Sequence, residues 1–420
     1  MAETIPIIEL DGRTGEGGGQ LVRIACALAA VASQPIRITN VRGNRESRGG
    51  LKSQHVTAIQ YLAEATGADV SGLSAGSHTL EFHPQLRPSE LASRSIKIAA
   101  DSPAASTMLI FQAVFPFLLL AGNSKGEAVR LEISGGTNVS FSLSFEYLDQ
   151  VLLPTLQEAF GVRVERRLLR RGWSLGKQQR GAVEFRFTPL RPGEPLRLRK
   201  EGTVYGGENA LLGDVDEVEE IDVSMIVPEQ MQESLEGALE QNLQDLFPNA
   251  KVEFKLTEDS GADSRIYVLL VAKAKGGKVR WGRDSLQSMP KKPRGKGKGG
   301  LPTPSALSES IAGNLSRKLY SEVVVGGAVD EFLQDQLVIF QALAEGRTSF
   351  PRSDAKDGLE QGMTKLAMDG KMSKRAVDKP FGEGSTHTST ARWVASKLLP
   401  DVAWYGDGRV CEGVGIHMEK

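Results

Sequence analysis

Over residues 7–90, 92–190 and 305–420 the same succession recurs: strand, helix, strand, helix, strand. "IPIIELDG" reads as a strand and is followed by a helix over 19–33, with Leu21, Ile24, Ala25 and Leu28 at helical spacing. "IRITNVRG" is a second strand, and Ser53 can cap a helix reaching about Thr66 whose inner face holds Val56, Ile59 and Leu62. A strand at "HTLEFHP" ends the first round, and the second has a strand at "SIKIAAD", an apolar helix from Ala105, a strand at "VRLEISGG" and a helix over 145–160. A strand or helix with one apolar face must bury it on another element, so this alternation predicts an α/β chain of repeated sheet-and-helix units.

Residues 191–288 interrupt the succession. "EEIDVSMIVP", a helix over 229–246, "KVEFKLTE" and "RIYVLLVAKA" make a small α/β domain of their own. The expected division is a core of 1–190 and 301–420, an inserted domain over 191–288, and a Gly/Pro-rich linker over 289–304. That linker, "MPKKPRGKGKGGLPTP", carries five basic residues within 291–298. A solvated tether is its plain reading; a nuclear address or an RNA-touching arm is the sharper one. A second polar stretch, about 346–384, reads as a long loop.

A formal net charge of −1 over 420 residues gives no global pull toward nucleic acid, so any such affinity must come from local arginine and lysine clusters. Two cysteines make no disulfide framework, which suits a reducing compartment. "MLIFQAVFPFLLLA" is too short to span a bilayer and carries Gln112 and Pro116, so it reads as a core helix. The first residues lack the pattern of a signal peptide, and a soluble protein is expected.

Four stretches could carry chemistry. In "DGRTGEGGGQLVR", Glu16 stands among Gly15, Gly17, Gly18 and Gly19, ahead of Gln20 and Arg23. Glycines and a helix start favour an anion, so an acid here makes sense if a cation bridges the two. Position 20 is glutamine and no G-K-[ST] follows, which disfavours Rossmann and P-loop enzymes. In "NVRGNRESRGGLKSQH", Arg42, Arg45 and Arg48 precede Gln54 and His55 at the next helix. Clustered guanidinium groups suit a polyphosphate, although loop arginines are common and a lone histidine is more often a cap or a core residue. In "AVDEFLQDQLVIF", Val329, Phe332, Leu333, Leu337 and Phe340 form an apolar stripe that includes Gln336, with Asp335 at its flank. A glutamine turned inward needs partners, from a buried network or from a ligand. In "GEGSTHTSTARWVASKLLP", His387 lies among hydroxyl residues that could simply cap a helix. The same geometry would let a histidine take up a phosphoryl group whose charge the helix end stabilises.

In this order the stretches "DGRTGEGGGQLVR", "RGNR", "QH", "SGGT", "DQL" and "STHTSTARWVASKLLP" resemble the RNA 3′-terminal phosphate cyclase family. The resemblance covers most of the chain outside the linker and the 346–384 loop. It implies three repeats, each with two helices on a four-stranded sheet as in the C-terminal domain of a translation initiation factor. A small α/β domain would be inserted between the second and third. It also implies ATP and a divalent metal (Mg2+ or Mn2+) as cofactors, and an RNA with a 3′-phosphate as substrate, converted to a 2′,3′-cyclic phosphate through a histidyl–AMP. His387 matches the nucleophile, which must be unprotonated to attack. Glu16 would hold the metal. Arg23, Arg42 and Arg45 would contact phosphates, supported by Gln20, Gln54 and His55. Gln112, Asp335 and Gln336 would line the nucleotide pocket, and Phe332, where the family often has tyrosine, would stack on the adenine.

Three positions depart from the family pattern: Ser140 where a proline is usual, Phe332, and "SLGKQQRG" over 174–181 in place of a glycine-rich turn. A non-catalytic cyclase-like factor of pre-ribosomal RNA processing therefore stands as the alternative, although that branch lacks the histidine retained here. An enolpyruvyl transferase shares only the repeat architecture. The basic linker and the two insertions favour the nucleus, with the cytoplasm as the alternative location.

Overall fold

The computed structural model describes residues 5–45, 49–199, 218–262, 265–290, 302–352 and 378–419. Arg48, the basic run at 291–298 and most of the long loop (353–377) lie outside the described residues.

The first unit runs β1 (Ile8–Asp11), α1 (Gly19–Ala32), β2 (Ile36–Thr39), α2 (Ser53–Thr66), β3 (Asp69–Ser71) and β4 (Leu80–His83). Its sheet has the order β1-β2-β4-β3, with β1 and β2 parallel and the other pairs antiparallel. The second unit runs β5 (Ser95–Ala99), α3 (Thr107–Leu119), β6 (Val129–Gly135), α4 (Phe145–Tyr147), a π-helical turn (Leu148–Leu152), α5 (Leu153–Phe160), β7 (Val164–Arg170) and β8 (Gly181–Phe187). Its order, β5-β6-β8-β7, repeats the pattern of directions seen in the first. The helix expected over 145–160 is thus three segments. Pro154 has no N–H to give back to the ladder, and the chain widens into the π-turn just before it.

The insert runs β9 (Val218–Val227), α6 (Glu229–Leu246), β10 (Lys251–Asp259), β11 (Ile266–Ala274), β12 (Arg280–Gln287) and α7 (Pro304–Val324). Its sheet order, β10-β9-β11-β12, differs from that of the repeats. Leu235, Leu239 and Leu243 of α6 meet Ile311, Leu315 and Leu319 of α7 in a second core, closed by Val223 and Leu270 from the sheet. Helix α7, placed by sequence in the core segment 301–420, therefore packs with the insert, because its apolar residues recur every three or four positions toward α6.

The third unit holds α8 (Glu331–Leu343), β13 (Glu345–Ser349), α9 (Thr386–Leu398), β14 (Ala403–Tyr405) and β15 (Val410–Val414), with sheet order β13-β15-β14. Three strands are regular where four are expected. The fourth place is filled by a single parallel bridge from Arg197 to Glu345, beside the Glu345 N–H donated to Leu196 O at 2.7 Å. Leu196 and Arg197, expected within the inserted domain (191–288), instead join the third sheet, so the insert interrupts the third unit between its first strand position and its first helix rather than lying between the second and third units.

Helices from all three units meet in one layer: α1 packs on α2, α3 and α9, and α8 packs on α9 and α3. The large core is continuous across them, from Leu21 and Cys26 through Phe111 and Phe115 to Leu337 and Val394. The apolar run of α3 is buried there, and among the described residues no helix is long and apolar enough to cross a membrane. Cys26 and Cys411 are both buried and unbridged.

Candidate active site

The β1–α1 loop turns through Gly15 and Gly17, both at positive φ (65° and 61°), where a side chain would strain the backbone. The turn brings Glu16 against α9, where its backbone N–H donates to Thr390 Oγ1 at 3.1 Å. The Glu16 carboxylate is almost fully covered and pairs with Arg45, and its Oε1 lies 3.7 Å from His387 Nε2. The first and the third unit thus meet at one point.

His387 is the second residue of α9. Ser385 caps that helix, its hydroxyl accepting from Thr388 N–H at 3.1 Å, so His387 is free of capping duty and half exposed. Burial lowers the His387 pKa, and the positive charges of Arg23 and Arg45 lower it further against an opposing pull from Glu331. The imidazole is held neutral, with a lone pair available, at physiological pH.

Helix α2 supplies the floor. Lys52, not Ser53, occupies its cap position; Ser53 Oγ accepts instead from Ser102 N–H at 3.4 Å. Gln54 and His55 sit in the first turn. His55 is buried, and its Nδ1 accepts from Lys52 N–H at 3.1 Å. Its pKa falls well below the usual value through burial and the nearby Arg23, Arg42 and Lys52. A neutral ring accepting at Nδ1 must carry its proton on Nε2. That nitrogen lies over Gly19, where an added Cβ would meet it at 2.5 Å. The capping role foreseen for a lone histidine is real, and it leaves a donor aimed at the glycine loop. Arg42, at φ 55°, reaches Gly50 O at 3.1 Å.

A narrow pocket opens between α1, α3, the π-turn with α5, and α8. Its polar lining is Gln20, Arg23, Gln112, Asp335 and Gln336; Phe111, Phe115, Leu156 and Phe340 form its apolar wall. Burial pushes the Asp335 carboxyl up to about 7, opposed by its hydrogen bond from Gln336 and by Arg23, and reinforced by Asp330 and Glu331. Burial also brings Arg23 down to about 10, with Asp335 raising it and Arg42 lowering it. Gln20 Oε1 is buried without a protein hydrogen-bond partner among the described residues, which in a native interior marks a place for a ligand or water. Arg23 is common to this pocket and to the surroundings of His387.

Phe332 does not line that pocket. Its ring is 40% exposed, stands edge-on to Tyr147 at 6.4 Å, and lies under the Arg283 guanidinium at 4.6 Å. The apolar stripe drawn on α8 also misplaces the buried amide. Gln334 and Gln341 are buried, whereas Gln336 is half-buried on the pocket. The helix is packed on nearly all sides, so a one-face pattern could not sort them. Gln334 takes the Thr388 hydroxyl at 3.4 Å and gives to Phe350 O at 3.3 Å, steadying the turn into α9. Its only trace in the sequence is its place on a helix with the other glutamines.

The two divergent stretches touch each other. Ser140 N–H donates to Ser174 Oγ at 3.2 Å, and the 174–181 loop is held from the insert by Arg265, which donates to Lys177 O at 2.6 Å. Among the described residues no cluster of three or more histidine, cysteine or carboxylate groups is placed to hold a metal.

Residues 14–401 match the family model described as RNA 3′-terminal phosphate cyclase. The chain is similar to proteins of that name from Thermococcus kodakarensis (31% identical over 342 residues, 81% of this chain and 86% of the relative). It is similar also to those from Ignicoccus hospitalis (32% over 348 residues, 81% and 86%) and Methanosarcina mazei (34% over 352 residues, 82% and 89%). With the match reaching into all three units and covering the pocket between them, the chain belongs to the RNA 3′-terminal phosphate cyclase family.

Proposed function

We propose that this chain cyclises an RNA 3′-terminal phosphate with ATP by way of a covalent histidyl–AMP on His387. The observation that carries the reading is the 3.7 Å approach of His387 Nε2 to the Glu16 carboxylate, among Arg23 and Arg45 and next to the Gln20–Gln112–Asp335 pocket.

The donor set suits a hard divalent cation. Mg2+ is usually held by one or two carboxylates with substrate phosphate oxygens completing its shell, and for Glu16 to serve this way the Arg45 guanidinium now paired with it would turn to the phosphates. When bound at Glu16, such an ion would neutralise charge on the triphosphate. Arg23, Arg42 and Arg45 draw the phosphates to the start of α1, and His55 Nε2–H, with Gln54 in the same turn, faces the same anion. Gln20, Gln112, Asp335 and Gln336 take the nucleoside in the pocket. Phe332 belongs to this set only if its ring swings from Arg283 toward the base.

His387 Nε2 then bonds to the α-phosphorus, the bond to the bridging oxygen breaks, and pyrophosphate departs. An oxygen of the RNA 3′-phosphate displaces the histidine from AMP. The neighbouring 2′-hydroxyl attacks the 3′-phosphorus, loses its proton to solvent and expels AMP. An imidazole that is neutral near pH 7 enters this sequence ready to attack, so the first step should keep its rate down to slightly acidic pH.

Incubation with α-labelled ATP and Mn2+ tests the first step. Acid-labile label should appear on the wild-type chain and vanish in His387→Ala. RNA ending in a 3′-phosphate should become phosphatase-resistant, and RNA ending in a 3′-hydroxyl should stay unchanged. No label with any of several divalent metals would leave the non-catalytic factor as the better reading.

A further inference from the structure

Thr390 lies three residues beyond His387 on α9 and hence on the same face of the helix. It is 1% exposed. Its hydroxyl donates to Thr386 O at 2.6 Å and accepts from the Glu16 backbone N–H at 3.1 Å. One proton and two lone pairs allow both bonds at once. The contact is tight from the other side as well: Gly15, at φ 65°, leaves only enough room that an added Cβ would fall 2.1 Å from this same oxygen. Three other hydroxyls of the run are engaged elsewhere, Ser385 with Thr388 N–H, Thr388 with Gln334, and Ser389 with Thr386 O.

We infer that Thr390 is a positioning residue: it clamps the glycine loop to α9 and so sets the distance between the His387 imidazole and the Glu16 carboxylate. The inference rests on the reaction proposed above, in which those two groups serve one triphosphate. Thr390 touches neither phosphate nor base; it acts through the peptide of Glu16. A clamp of this kind matters for rate because the two groups come from different units, and an error of about 1 Å in such an arrangement can cost on the order of a hundredfold.

Thr390→Val keeps the shape and removes the hydroxyl, whereas Thr390→Ser keeps the hydroxyl. At saturating ATP, T390V should form the adenylylated protein at least about tenfold more slowly, with ATP Kd within about threefold and Tm nearly unchanged. T390S should stay close to wild type. A T390V rate within about twofold of wild type, or a T390S rate as low as that of T390V, overturns the inference, since the first denies the clamp and the second assigns the effect to packing. Hydrogen exchange on the wild-type chain keeps the test open if T390V does not fold. The Glu16 amide should be protected relative to that of Gly15 (the Gly17 N–H already donates to Thr14 O at 3.2 Å), and exchange as fast as that of Gly15 overturns the clamp. A wild-type chain that takes no label overturns the reaction and the inference together; a labelled wild type with an unimpaired T390V overturns the clamp alone.

Discussion

Asp335 shows how a single side chain carries the chemistry of the pocket. Its carboxyl is pushed up to about 7 by burial, above the ordinary value of 3.8 that an unfolded chain would show. The protonated form is therefore favoured by folding: that contribution is complete below pH 3.8 and is lost as pH rises through about 7. Asp335→Asn fixes the neutral form, so at pH 8 it should be more stable than wild type by about 1–2 kcal/mol after allowance for partial solvent access. The gain should shrink toward zero by pH 4, as read from urea unfolding at both pH values; an equal gain at both would show that Asp335 is ionised in the folded state throughout. At this scale much was legible. Glu16 stood out because an acid among glycines violates local expectation, whereas His387, among hydroxyls that could simply cap a helix, was singled out by the family resemblance. Gln334 and Thr390 did not, because each resembles its neighbours and only the packing of α8 and α9 selects it.

The β1–α1 loop and the start of α1 behave as one element whose geometry depends on small residues. Gly18 occupies the N-cap of α1 at φ −116°, a conformation open to any residue. An added Cβ would lie 2.0 Å from Glu16 Oε2, the mobile end of a side chain rather than backbone. Gly18→Ala should therefore fold with a small change in Tm yet displace the carboxylate. Self-adenylylation in Mn2+ should drop by at least about tenfold. A variant that melts with wild type and labels at the wild-type rate would show that this carboxylate has no part in the step. Elements whose apolar period ran clean, such as α1, α2 and α6, were readable nearly to the residue. The 145–160 segment was not, since a π-turn leaves the same apolar residues inward and only Pro154 hints at the widened ladder.

Across the whole molecule the units are joined by buried polar groups as well as by the shared core. Asp330, fully buried, takes Phe332 and Leu333 N–H at the start of α8, the Tyr147 hydroxyl at 2.6 Å from the second unit, and Gly282 N–H at 2.8 Å from the insert. Asp330→Ala strands all four donors and should cost about 3–5 kcal/mol in urea unfolding, with Asp330→Asn costing less because one acceptor oxygen remains. A loss below about 1 kcal/mol would mean that water replaces the carboxylate and that the insert is not anchored there. A second junction joins Glu146, Asn138 and Arg171 of the second unit to Glu258 of the insert. None of these links could be read from the sequence, because each joins residues far apart along the chain and uses residue types that are ordinary on a surface.

The sequence by itself determined the order of most elements, the presence of an insertion and the family signature, because apolar periodicity and glycine-marked turns act over a few residues at a time. Tertiary structure alone decided that α7 serves the insert, that the third sheet draws a strand position from before the insertion, and that Phe332 faces away from the pocket. It also decided that residues 16 and 387 stand 3.7 Å apart. Those outcomes depend on which surfaces meet when three units pack their helices into one layer, and that choice is made by the whole core at once.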